Sequence, residues 1–169
     1  MSADDADCLV IGVGNPDRAD DGAGPLVAMR LQALRPPRVR VTMRGGDLLS
    51  LIDDWAGARA VVVVDAAAPL ARPGTIHRWT PGTGELPRPP RPSSTHGFGV
   101  AEVLALAAHL GRVPQTLVVY AIEGARFDLG AAMTPAVRRA ALALARRLGA
   151  GGGVTRATTP GPPRPSRGR

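Results

Sequence analysis

The sequence contains no lysine, so all 21 of its Lys and Arg positions are arginine. This absence excludes a Walker-type phosphate loop, which uses a lysine to reach the phosphates of a nucleotide. Aromatic residues make up only 3% of the chain, so few rings are present to stack against bases. Together with the lack of a basic helix or an aromatic-rich strand, this composition argues against nucleic-acid binding.

Long uncharged apolar runs are also missing. A membrane span needs roughly 18 such residues, whereas the longest dense run, 60–71, is interrupted by Asp65 and Pro69. The N-terminal stretch carries aspartates where a signal peptide has positive charge. The single cysteine, Cys8, cannot form an internal disulfide and fits a reducing compartment. We therefore expect a cytoplasmic protein, without membrane insertion, that buries Cys8 in its core.

The excess of positive charge is partly confined to the C-terminal end. Residues 154–169 contain four arginines among Pro, Gly, Ser and Thr, and no acidic residue. A segment of this composition buries too little apolar surface to offset the entropy lost on ordering. The sequence thus predicts one α/β domain over 1–150 and a disordered Arg/Pro/Gly-rich tail over 151–169. An interaction arm for polyanions or an acidic partner is the alternative for this tail.

Short β-branched runs alternate with longer helical patterns along the chain. The run at 59–66 is apolar without alternation, as in a strand covered on both faces. Only about eight residues follow before the next strand, fewer than a parallel crossover with a helix needs, so that strand should be antiparallel or at an edge. The expected fold is a single α/β domain with a mostly parallel twisted sheet of about five strands and helices on both faces. The predicted strands are 8–14, 38–44, 59–66, 74–80 and 116–122, and the predicted helices are 22–34, 47–57, 98–111 and 135–149.

Two helix starts have recognisable residues. Asp47 is the expected N-cap of the second helix, and Thr134 with Pro135 begins the last one. Between the fourth strand and the third helix, residues 80–95 form a long Pro-rich loop, which in a compact domain is usually functional or mobile.

The stretch GVGNPDRADDGAG at 12–24 places a Gly-rich turn after the first strand. A dinucleotide fingerprint starting at Gly12 would need glycine at position 17, where the chain has Asp17. Carboxylates here would repel a pyrophosphate. They are better explained as ligands of a cation, or as caps, since Asp20 and Asp21 precede a helix.

Three polar residues fall where a parallel α/β sheet binds ligands, at the carboxyl ends of its strands. Asp21 follows the first strand, Asp65 ends the third, and His96 precedes a helix. Two carboxylates and one imidazole with open positions suit a borderline divalent metal. The alternatives are a pairing of Asp65 with Arg59 or an N-cap role for it, and a cap or surface position for His96.

Other candidate residues fit less well. His77 lies in the middle of a predicted strand and His109 well past the start of a helix, so neither is expected in the site. The backbone N–H groups near Gly14 and Asn15, or the Asn15 amide, are candidates to stabilise an oxyanion. Asn15 is equally explained as a turn residue.

The segments LVIGVGNPDRADDGAG, VVVVDA, SSTHGFGVAEVLALA and LVVYAIEGARFDLGAAMTPAV, taken in order, resemble the hydrogenase maturation proteases. These peptidases trim the large subunit of NiFe hydrogenases, and the resemblance extends from about residue 8 to residue 148. It implies that Asp21, Asp65 and His96 are the metal ligands and catalytic residues. The supporting loop residues would be Gly14, Asn15, Asp20 and Gly22.

The resemblance is incomplete at two places. Relatives often have Glu at the first ligand, so Asp21 is a shorter substitute, and Asp20 beside it leaves that assignment open. Many relatives also have an aspartate and a Gly-Gly-Thr stretch after the second strand. This chain has MRGGDLLSLI, with Arg44 before the glycines, so no role of that aspartate carries over.

The activity implied by the resemblance is a metal-dependent endopeptidase, of the aspartic type, that removes the C-terminal extension of a NiFe-hydrogenase large-subunit precursor after nickel insertion. Nickel would arrive with the precursor, polarise the scissile carbonyl and help to activate water. Other divalent metals would substitute for it in vitro. Two alternatives remain at this point: a non-catalytic nickel-sensing docking factor of hydrogenase assembly, and a nucleotide-dependent enzyme.

Overall fold

The computed structural model describes residues 8–81 and 99–151. Five strands form one sheet: β1 (Cys8–Val13), β2 (Val39–Arg44), β3 (Ala60–Ala67), β4 (Ile76–Trp79) and β5 (Thr116–Glu123). A 3₁₀ turn, Ala19–Gly22, precedes the first of four helices, which are α1 (Ala23–Leu34), α2 (Leu51–Asp54), α3 (Val100–His109) and α4 (Pro135–Gly149).

The sheet has the strand order β2-β1-β3-β5-β4. The first four of these strands are parallel to one another, and β4 runs antiparallel to β5 at the edge. The predicted fold class is therefore confirmed, as is the expectation that the strand within 74–80 is antiparallel and lies at an edge.

Helices cover both faces of the sheet. One buried cluster joins alternate residues of β1, β3 and β5 to α1 and α4, and it includes Cys8, as expected. The other cluster uses the intervening residues of the same strands and packs them against α2 and α3. Among the helices within 8–81 and 99–151, none has the length and apolarity that crossing a bilayer requires.

The second helix is shorter than predicted. The structure has only one helical turn, α2, where 47–57 was expected to be helical. Asp47 does not cap it: the Asp47 carboxylate accepts the Leu49 N–H at 3.1 Å and the Asp47 carbonyl accepts the Ser50 hydroxyl at 2.8 Å, which stabilises the turn ahead of the helix. After α2 the chain is held by Trp55, whose indole N–H donates to the Arg112 carbonyl at 3.0 Å. The prediction of Asp47 as N-cap is wrong because its local hydrogen bonds favour a turn.

At the start of α4 the prediction is confirmed, since Thr134 is the N-cap residue and Pro135 follows it. The Thr134 side chain, however, does not cap its own helix. Residues 82–98, with most of the predicted 80–95 loop, and residues 152–169, with nearly all of the predicted tail, lie outside the described residues.

Two glycines of the 12–24 stretch allow α1 to lie directly on the sheet. A Cβ atom at Gly24 would overlap the carbonyl oxygens of Val13 and Val64, and one at Gly12 would overlap the Gly24 carbonyl and lie 2.8 Å from the Ala28 Cβ. These glycines therefore serve helix–sheet packing, which brings the start of α1 over β1 and β3.

We expect Gly24→Ala to lower the free energy of unfolding by about 3 kcal/mol or more, because backbone atoms on two strands would have to move. Gly149→Ala is the matched control: its Cβ would meet only side-chain methyl groups, Leu34 Cδ1 at 3.3 Å and Leu31 Cδ2 at 3.6 Å. That variant should stay within about 1 kcal/mol of the wild type. Urea denaturation of both variants checks this, and equal stabilities would contradict the packing argument.

Candidate active site

The loops that follow β1, β3 and β5 meet at the carboxyl edge of the sheet, where ligands bind in folds of this class. These loops cover residues 14–22, 68–75 and 124–134. Hydrogen bonds between them, made largely by carboxylates, fix their relative positions.

Asp20 is fully buried and joins the first loop to the last one. Its carboxylate accepts the N–H groups of Ala125 at 2.8 Å, Arg126 at 3.1 Å and Thr134 at 2.6 Å. It also accepts the Thr134 hydroxyl at 3.0 Å. Four donors therefore occupy this carboxylate, which stabilises the buried charge and holds the end of the 124–134 loop.

Asp21, by contrast, is only half-buried and accepts the backbone N–H of Asn15 at 2.9 Å. The Asn15 side-chain oxygen accepts the Asp17 N–H at 2.9 Å, so Asn15 forms the turn that the sequence left as an alternative. The Gly14 N–H donates to the Arg44 carbonyl at 3.0 Å. Both backbone N–H groups therefore have acceptors within the protein, and a role of this loop, including the Asn15 amide, in stabilising an oxyanion stays a prediction.

Asp65 lies on β3, two residues before its end rather than at it. Burial raises the pKa of this carboxyl to about 7; the Ala66 N–H, at 2.8 Å, opposes the rise, and the negative charge of Asp21 adds to it. Asp21 and Asp65 are thus close enough for their charges to repel. Arg59 precedes the opposite end of β3, about 20 Å away along the strand, so the alternative pairing with Arg59 is wrong.

His96 lies outside the described residues. Its helix begins at Val100, which packs in the same cluster as Val63, on the face of the sheet that carries α3. The described residues, 8–81 and 99–151, do not include His96. Within these ranges no group of three His, Cys, Asp or Glu side chains is suited to hold a metal ion. The ligand set of Asp21, Asp65 and His96 stays a prediction.

The structure also shows a second buried carboxylate, Glu123, which the sequence analysis missed. The predicted strand stopped one residue short of it, and only the fold brings it to its partners. One Glu123 oxygen accepts three consecutive backbone N–H groups of the loop after β3, and the other lies 2.5 Å from His77 Nε2. The three donors are Leu70 at 3.3 Å, Ala71 at 2.9 Å and Arg72 at 2.9 Å.

Glu123 is ionised in spite of its position. Burial opposes ionisation, but the Ala71 N–H, the His77 side chain and the Leu70 and Arg72 N–H groups together lower the pKa of the carboxyl to about 2. Its charge is therefore present throughout the neutral range.

Arg44, at the end of β2, has a structural partner. Its guanidinium makes a bidentate pair with Asp54, with Nε at 2.6 Å and Nη2 at 2.5 Å from the two carboxylate oxygens. The hydrogen bond and charge of Asp54 raise the pKa of Arg44 further. The pair joins the end of β2 to α2.

We expect Asp20→Asn to lower the free energy of unfolding by about 3 kcal/mol, because the amide NH₂ would face donors in a buried position. Asp21→Asn, one residue further and half-buried, is the matched control and should stay within about 1 kcal/mol of the wild type. Urea denaturation at pH 7 checks both variants. Equal losses would contradict the distinction between the two aspartates.

Asp65 should make the stability of the metal-free protein fall as the pH rises. Its native pKa lies above its ordinary value of 3.8, so the folded state loses stability between about pH 4 and pH 7 as this carboxyl ionises. Asp65→Asn should remove this loss, so its stability advantage over the wild type should grow by about 3 kcal/mol from pH 5 to pH 8. Urea denaturation of both proteins across this pH range, in the presence of a chelator, measures the difference. If the free energies of unfolding of the two proteins change with pH in the same way, Asp65 is not the group responsible.

Comparison with known proteins places the chain in one family. The family model described as hydrogenase maturation protease matches residues 25–148. The hydrogenase expression/formation protein HupD of Thiocapsa roseopersicina is 32% identical over 139 residues, covering 79% of this chain and 62% of that protein. HupM of Azotobacter chroococcum is 30% identical over 143 residues, covering 82% of this chain and 68% of the relative. The chain thus spans about two thirds of the length of these two relatives.

Solved structures give the same result. The NiFe hydrogenase maturation protease HycI of Thermococcus kodakarensis superposes with a TM-score of 0.68 at 25% identity, covering 85% of this chain and 90% of that one. The hydrogenase maturating endopeptidase HybD of E. coli has the same fold, with a TM-score of 0.62 at 24% identity over 85% of this chain and 93% of its own. With the family model matching most of the α/β domain, this chain belongs to the hydrogenase maturation protease family.

Proposed function

We propose that this protein is the endopeptidase that removes the C-terminal extension of a NiFe-hydrogenase large-subunit precursor after nickel has been inserted. The observation that carries the proposal is the pair of mutually repelling carboxylates, Asp21 and Asp65, at the carboxyl edge of the sheet. Membership of the family supports the reaction class, and Cys8 supports a reducing compartment, the cytoplasm.

The two carboxylates fit a divalent metal. A cation between them relieves the repulsion between Asp21 and Asp65 and stabilises the ionised form of Asp65. Carboxylate oxygens with one imidazole suit nickel, and equally suit copper or zinc. Since the side chains alone do not select nickel, we propose that nickel arrives as part of the precursor and that His96 completes the ligand set.

In this proposal each described residue has a defined part. The Asn15 N–H fixes one Asp21 oxygen, which leaves the other oxygen for the metal. Asp20 holds the end of the 124–134 loop beside the site. In the proposal, this loop therefore presents a fixed surface to the incoming precursor. When bound, the metal supplies Lewis-acid polarisation of the scissile carbonyl.

Intact-mass spectrometry of a nickel-loaded cognate precursor tests the proposal. Wild-type protein should release a single C-terminal fragment, whereas Asp65→Asn and His96→Ala should slow its release by at least about 100-fold because a ligand is lost. Asp53→Asn, which changes an aspartate with a side chain 80% exposed, is the matched control and should cleave at the wild-type rate.

Two outcomes would contradict the proposal. A stable complex of wild-type protein and precursor without loss of mass would identify a docking factor instead of a peptidase. Cleavage by Asp65→Asn at the wild-type rate would remove Asp65 from the reaction.

A further inference from the structure

His77 lies in the same cross-strand row as Asp65. In the sheet register Asp65 on β3 is opposite Ala121 on β5, and Ala121 is opposite His77 on β4. Two strand spacings separate the Cα atoms of Asp65 and His77, which is about 10 Å. Between them the row holds only the methyl group of Ala121.

Side chains of the same row point to the same face of a sheet. Two residues before Asp65 and Ala121, Val63 and Val119 belong to the cluster under α2 and α3, and Trp79, two residues after His77, packs against that cluster. Asp65 and His77 are therefore on the α3 side of the sheet, with the small side chain of Ala121 between them.

The imidazole of His77 is held in one orientation and still reaches solvent. Its Nε2 is bonded to Glu123, and its side chain is 34% exposed while that of Glu123 is 0% exposed. A fixed carboxylate on one ring nitrogen selects the tautomer and orients the ring, as it does for catalytic and metal-binding histidines. Among the residues of the sheet, Glu123 on β5 and Asp65 across Ala121 share the face of His77, whereas Arg78, the next residue on β4, belongs to the other face.

We propose that His77, oriented by Glu123, is the proton carrier of the peptidase reaction and acts on a scissile peptide held at the Asp65 end of this row. This inference rests on the proposed peptidase function. Glu123 is a positioning residue in it, because it contacts His77 and the 70–72 backbone and not the substrate.

The proposed reaction consumes only water and the peptide, and its protons balance. Water adds through its oxygen to the scissile carbonyl carbon, and the neutral imidazole takes the proton that this water releases. The C–N bond then breaks, its electron pair goes to the nitrogen, and the imidazolium returns the proton to that nitrogen. A carboxyl terminus and an amine result, and Glu123 stays ionised throughout because its pKa is about 2.

His77→Gln tests the proposal, since the amide can still donate to Glu123 but cannot carry a proton. With nickel-loaded precursor, the single-turnover rate of cleavage should fall by roughly 10²- to 10⁴-fold, with precursor binding unchanged. His109→Gln is the matched control, because His109 is exposed and bonds only to the Ala105 carbonyl of its own helix. His77→Gly should also be slow and should recover part of its rate when free imidazole is added.

The outcomes separate the two proposals. If wild-type protein does not cleave, the peptidase function fails, and this inference fails with it. If wild type cleaves and folded His77→Gln cleaves within threefold of it, only the role of His77 is overturned. If folded His77→Gly cleaves slowly and added imidazole does not raise its rate, the proton-transfer role is also overturned. A structural role of His77 would then account for the slow cleavage. Thermal denaturation of each variant identifies any that fails to fold, and imidazole rescue of the folded His77→Gly then decides.

Discussion

The buried carboxylate of Asp20 is the interaction on which the candidate site depends. It binds backbone N–H groups at 125, 126 and 134, so a charge in the first loop holds the start and the end of the last loop. Because Asp20 is fixed in this way, the next residue, Asp21, is directed to Asn15 and lies close enough to Asp65 to interact with its charge. The adjacent aspartates thus divide two tasks: one stabilises the frame and the other is available for a ligand.

Much of the fold was predictable because it depends on local patterns and on lengths. The unbroken valines of β3 indicated a strand covered on both faces. The short connection after it excluded a helical crossover, which made β4 an antiparallel edge strand. The second helix was predicted too long because hydrophobic periodicity reveals neither the local turn that the Asp47 hydrogen bonds form nor the tertiary contact between Trp55 and Arg112.

The candidate site was predictable only where the topology of the sheet determines it. The positions of Asp21 and Asp65 followed from topology, but the choice between Asp20 and Asp21 needed the directions of their side chains. His77 was set aside as a mid-strand residue, and Glu123 was not considered. Their contact spans 46 positions in sequence and depends on the reversed direction of β4, so neither spacing nor periodicity indicates it.

The two buried carboxylates also set an order of events in folding. Asp20 and Glu123 bind loop backbone from 51 to 114 positions away in sequence, so each bond closes a long loop and is favoured only once the strands flanking that loop have paired. Contacts of such long range are expected to form late, after the local turns and the sheet. A collapsed chain in which Asp20 and Glu123 have not yet made these hydrogen bonds would have a packed core, but the loops at the carboxyl edge would not be in their native positions. Chemistry at this edge would therefore begin only in molecules that have finished folding.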